Sequence, residues 1–127
     1  MNKANQSRQY YLERLADPSL LDEAVPVKNS NSETAGDHLA VPVGGSRRGG
    51  YLEFIKRGQA EKALTVLSRH AGFPNLRIVD LFDKYFRSPC FALVWGEAQT
   101  RKMTVEELGR YYGYREEAIK QEVDLRK

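Results

Sequence analysis

His38, His70 and Cys90 carry the most versatile side-chain chemistry in this 127-residue chain, but their spacing makes little use of it. A zinc site needs several cysteines and histidines at short intervals, and these three lie far apart. No GxSxG, HExxH or comparable signature accompanies them, so the expectation is no catalytic residue, no metal and no cofactor. His70, near the end of a helical pattern, suits the negative end of a helix dipole. Cys90, the single cysteine, reads as a small core residue. The cations are more suggestive. In GGSRRGG, residues 44 to 50, Arg47 and Arg48 sit in a stretch of great backbone freedom. Such an arm can enter a minor groove or lie on phosphates, and a bare flexible linker fits the same residues. It is not a nucleotide-binding loop, because the GK[ST] ending is absent.

The elements that would position this chemistry are read from periodicity and punctuation. Residues 5 to 15 suit a short helix broken at Asp17-Pro18. From Asp22 to about Gly50 the composition shifts to Ser, Asn, Gly, Pro and isolated charges, which reads as a disordered arm. Within it, LAVPV at 39 to 43 suits at most an edge strand, given Pro42. Leu52, Ile55, Ala60, Ala63, Leu64, Leu67 and Ala71 recur at three- and four-residue steps and predict a long helix. A second stripe, Ile78, Val79, Phe82, Tyr85 and Phe86, ends at Ser88-Pro89. A third helix then presents Phe91, Val94, Trp95 and Ala98.

The strongest local signals are C-terminal. Thr104 and Glu107 have the spacing of a capping box, so a helix starts at Val105. Leu108 and Tyr112 stand four apart on its inner face, and Gly109 leaves room for a neighbouring helix. Gly113 suits a left-handed turn that ends the helix. Tyr114 fills the angle, and Ile119 and Val123 hold a second helix against the first. A plain helical hairpin needs the same glycine and the same spacing. Glu116 and Glu117 suit the first turn of a helix through its dipole, and a glutamate can also accept from cytosine N4.

This run, residues 105 to 124, resembles the helix-turn-helix of phage repressors and bacterial regulators. It departs from that pattern at Glu122, where the family usually carries an apolar residue. The resemblance implies Arg115, Glu116, Lys120 and Gln121 as groove readers, on a helix at 114–125 lying in the major groove. Affinity for nucleic acid comes mainly from cations on phosphates. Residues 104–127 carry net charge −1, residues 51–103 carry +4 and residues 1–50 are balanced, for a chain total of +3. The module must therefore draw on Arg101, Lys102 and Arg110 as well as Arg47 and Arg48.

The expected architecture is all-α: about five helices, with a short N-terminal helix and flexible arm over 1–50. A helical domain over 51–127 follows and ends in a tri-helical unit with its helix-turn-helix at 104–125. The expected function is a sequence-specific binder of double-stranded DNA, a small transcriptional regulator. The long helix at 52–71 offers a homodimer contact. The alternative is an all-α interaction module, an adaptor or modulator of a polymerase or nucleic-acid enzyme, with a protein partner and no direct DNA readout. No apolar stretch approaches the roughly 20 residues that span a bilayer, and the first 15 residues are polar. With one cysteine, these features suit the cytoplasm.

Overall fold

The computed structural model describes residues 3–28, 37–83, 88–99 and 101–125. It is mixed α/β, not all-α. Helix α1 (Lys3–Leu12) and a 3-10 helix (Pro18–Glu23) lead into β1 (Val25–Lys28) and β2 (Asp37–Ala40). Strand β3 (Gly49–Phe54), α2 (Arg57–Leu67), β4 (Arg77–Asp83) and β5 (Ser88–Gly96) follow, and α3 (Val105–Tyr111) and α4 (Glu116–Leu125) complete the chain.

β1 and β2 pair antiparallel. The larger sheet has the order β3-β5-β4, with β5 antiparallel to both neighbours. β3 and β4 therefore point the same way, with α2 crossing between them and the last strand inserted at the centre, a split β-α-β arrangement. Alternation decides which side each residue faces. In β3, Leu52 and Phe54 are buried while Tyr51 and Glu53 face outward. Leu93 and Trp95 of β5 continue the buried face, and Ala60, Ala63 and Leu67 of α2 close over it. Val25, Val27 and Ala40 join the same core, which Phe73 seals edge-on against the Trp95 ring at 5.3 Å between centroids. The indole does not go unsatisfied, since Trp95 Nε1 donates to the Val41 carbonyl at 3.0 Å.

Three expected helices are thus corrected. Residues 49–54 form a strand, and the helix expected over 52–71 shrinks to Arg57–Leu67. Leu52 and Ile55 fit a helical step in sequence, but the first is buried and the second is 79% exposed. The stripe at LRIVDLFDKYF and the one after Pro89 are strands β4 and β5 where described; Tyr85 and Phe86 lie outside the described residues, as does the Phe82 side chain. The physical reason is that a central strand has a neighbour on each edge and is apolar on both faces here: Leu93 and Trp95 lie under α2, and Ala92 is sheltered on the other face. CFALVW is then a continuous apolar run, which periodicity alone cannot separate from a buried helix. Phe91 and Trp95 remain packed in the core, on a strand.

The segment expected as an arm also carries structure. Leu15, Leu21 and Val41 form a second buried cluster with Tyr11, Leu20, Ala24 and Tyr114 against it. Gly44 and Arg47 pair across a tight turn. LAVPV contributes Leu39 and Ala40 to an edge strand that ends before Pro42. Residues 29–36, also expected in the arm, lie outside the described residues.

Candidate functional site

Residues 104 to 125 form a two-helix hairpin. The Thr104 hydroxyl accepts from the Glu107 amide at 3.2 Å, while the Glu107 carboxylate accepts from the Thr104 amide at 3.2 Å. Arg101 ties in as well, donating to Glu107. That bond, with the Thr104 amide, holds the Glu107 carboxyl down at about 2. Gly109 is where the helices touch: a Cβ there would lie 2.6 Å from the Ile119 side chain. Gly113 turns the chain at φ +77°, a backbone region that side chains with a Cβ enter only at a cost. Ile119 is buried against α3, Val123 is half-buried, and Arg115, Glu116, Glu117, Lys120, Gln121 and Asp124 are exposed.

The hairpin is anchored by its turn. The Arg48 amide donates to Tyr111 O at 2.8 Å, the Ala16 amide to Gly113 O at 2.9 Å, and the Arg115 amide to Arg14 O at 2.7 Å. Tyr111 hydroxyl donates to Glu97 O. At the centre of this seam lies Arg47, only 3% exposed. Its Nη1 donates to Tyr112 O at 2.9 Å and its Nε to Val41 O at 3.3 Å. The guanidinium carbon sits 5.6 Å from the Tyr11 ring centre and 6.0 Å from that of Tyr112. Tyr10 packs edge-on against Tyr11, and Tyr112 packs on Tyr51, Tyr111 and Tyr114 at 5.2 to 6.0 Å. Burial pushes the Tyr112 phenol up to about 12 and raises those of Tyr11 and Tyr114.

Beside the seam, the sheet face opposite α2 is open. Tyr51, Glu53, Arg77, Val79, Leu81, Ala92 and Val94 floor a groove of about 420 Å³, and Tyr112, Ala98 and Gln99 wall one end.

A family model matches residues 2–127. The chain belongs to DUF6302, a family of unknown function. No curated protein and no solved structure matches it.

In this DUF6302 protein the expected DNA-contacting residues scatter over three settings. Lys120 and Gln121 are exposed on α4, Arg115 is exposed just before it and Lys102 before α3; none of the three cations forms an ion pair among the described residues. Arg110 and Glu116 are engaged with each other, Nε to Oε1 at 3.1 Å and Nη2 to Oε2 at 3.3 Å, as Arg101 is with Glu107. Arg47 belongs to neither group. Expected on an arm, it is instead interior and spent on carbonyls and rings, while Arg48 beside it is exposed. The expected tri-helical unit is also corrected: β5 stands where its first helix was placed, and the brace is the Arg47 seam. Leu108 and Tyr114 are half-buried in the hairpin and its seam, and so is Glu122.

The sequence reading missed the groove and the tyrosine seam. The density of YYGY at 111–114 was the available signal for the seam; the groove has none until the strands are known. Among the described residues no group of three or more His, Cys, Asp or Glu is placed to hold a metal ion, and no helix is long and apolar enough to cross a membrane.

Proposed function

We propose that the α3–α4 hairpin reads double-stranded DNA, with α4 in the major groove, and that the protein is a small transcriptional regulator. The observation that carries this reading is the exposed side of α4. Its main packing partner is α3, and Lys120 and Gln121 on the helix, with Arg115 just before it, are exposed to meet bases and phosphates. The two ion pairs nearby do not bar it. Exposed pairs are screened by solvent and held loosely, and Arg110 and Glu116 are exposed at 56% and 71% of their side chains. Arg110 can therefore exchange a carboxylate for a phosphate, which frees Glu116 to accept from cytosine N4. Lys102 and Arg48 add cations outside the hairpin. The lone Cys90 suits a reducing cytoplasm.

Selection from a random duplex pool at two salt concentrations tests the reading. Enrichment of a defined site is expected. Arg115→Ala and Lys120→Ala should each weaken binding by about 1 to 3 kcal/mol, with helicity and melting temperature unchanged. Weak binding without enrichment that disappears with salt would overturn the proposal and leave a protein partner for the groove.

A further inference from the structure

Strand β4 presents seven residues along an edge that no other strand covers among the described residues. The opposite edge, β3, is touched by β2. A free edge is a row of unpaired amides and carbonyls, and proteins usually blunt it with lysine, proline or a bulge. β4, RIVDLFD, has neither lysine nor proline, and it pairs with β5 residue for residue from Arg77 to Asp83. Val79 and Leu81 lie on its groove face, 39% and 41% exposed.

We infer that β4 is a self-pairing edge: two copies of the chain join their β4 strands antiparallel about a two-fold axis at Asp80, making one six-stranded sheet. The occupant is a second copy because the strand is complementary to its own reverse. A two-fold antiparallel pair keeps equivalent residues on one face of the sheet, so only a few registers are open. Centred on Asp80, all seven positions pair. Arg77 falls opposite position 83, an aspartate, Ile78 opposite Phe82, and Val79 opposite Leu81. Arg77 forms no ion pair among the described residues; its Nη1 donates to the Asn75 carbonyl at 2.7 Å and to that of Gly96 at 3.4 Å. Apolar pairs across a ladder stabilise it, and in this register the exposed Val79 and Leu81 of the groove face meet each other twice.

The two Asp80 carboxylates meet at the axis, and each arrives already ion-paired. Arg57 Nη1 donates to Asp80 Oδ1 at 2.7 Å while its Nε faces Glu61 Oε1 at 3.4 Å, so each carboxylate brings a guanidinium that it shares with Glu61. The neighbouring registers do worse. Centring on Val79 sets Asp80 opposite Ile78, and centring on Leu81 sets it opposite Phe82; each also leaves strand ends unpaired. In the favoured register both α2 helices lie on one side of the joined sheet, and the two grooves become one continuous floor. This inference rests on β4 alone and stands or falls separately from DNA binding.

Sedimentation equilibrium of the full chain tests it, with a mass twice 14.5 kDa expected. Val79→Lys with Leu81→Lys places ammonium groups opposite each other and should give the single-chain mass with an unchanged circular dichroism spectrum. Val79→Lys with Leu81→Glu makes each pair complementary and should restore the doubled mass. A wild-type chain that stays single at every concentration, or a double-lysine variant that stays paired, would overturn the inference.

Crosslinking checks the register even if the double-lysine variant misfolds. In a Cys90→Ala background, Asp80→Cys should oxidise to a covalent dimer. Facing residues of an antiparallel pair lie about 4.5 to 5.5 Å apart at Cα, within disulfide reach. Val79→Cys should not, because its nearest equivalent is displaced along the ladder. Crosslinking at 79 without crosslinking at 80 would refute the Asp80 axis.

Discussion

The core beneath α2 and the seam beneath the hairpin are held by different physics. The first is apolar throughout: Leu52, Phe54, Leu67, Leu93 and Trp95 are nearly or fully excluded from solvent, and the one polar atom, the indole nitrogen, is bonded. The second has a guanidinium at its centre, backbone carbonyls as its acceptors and tyrosines as its walls. A core of the first kind gains stability in proportion to area and degrades by degrees. A seam of the second kind depends on a few directed bonds, so one substitution can loosen the hairpin while the sheet stays intact.

The largest break is expected in the core. Trp95→Ala should cost about 3 to 5 kcal/mol by loss of burial and a residual cavity, enough to unfold a marginal domain, as denaturant titration would show. Next comes Arg47→Met. The Val41 carbonyl keeps its bond from Trp95, but the Tyr112 carbonyl loses its donor. Hydrogen bonds to charged groups contribute about 1.5 to 3 kcal/mol, so a loss near 2 kcal/mol is expected. Hydrogen exchange should speed up at residues 111–116 and hardly change in β5. Uniform acceleration would show that the two regions unfold as one.

The smallest effect lies at the cap. Thr104→Ala should cost about 1 kcal/mol and fray only α3. Acid should act at the same place. Because Glu107 is held down at about 2, its charged form is the one that folding favours, and its contribution is complete above its ordinary 4.5 and fades as pH falls towards 2. Amide chemical shifts across α3, followed through that window in wild type and Glu107→Gln, should move only in the wild type. At the alkaline end the sign reverses. Tyr112, raised to about 12 by burial, supports the fold in its neutral form and loses that support between pH 10 and 12.

What the sequence made legible follows the same division. The ends of α3 are written in local chemistry: Thr104 and Glu107 satisfy each other, and Gly113 takes a positive φ, so neighbours within a few residues suffice. The strands are not local. Leu52 and Phe54 alternate over only one strand length, and the apolar run through Leu93 and Trp95 makes sense only once strands flank it on both edges and α2 covers one face. Arg47 was misread for a similar reason. Its glycine-flanked setting looks mobile until residues 65 positions away supply a carbonyl and a ring. The groove is a product of pairing three strands, so no single stretch of sequence announces it.

The bridge between Leu15 and Tyr114 ties two stretches separated by nearly the whole chain. Closing so long a loop is not ruinous in free energy, since each doubling of length adds only about 0.6 kcal/mol, but it fixes an order of events. On the ribosome, residues 13–16 wait for the hairpin turn to emerge, and β1 through β5 can pair in the meantime. The tie should therefore form late and open early, making it the place where a protease first finds this chain.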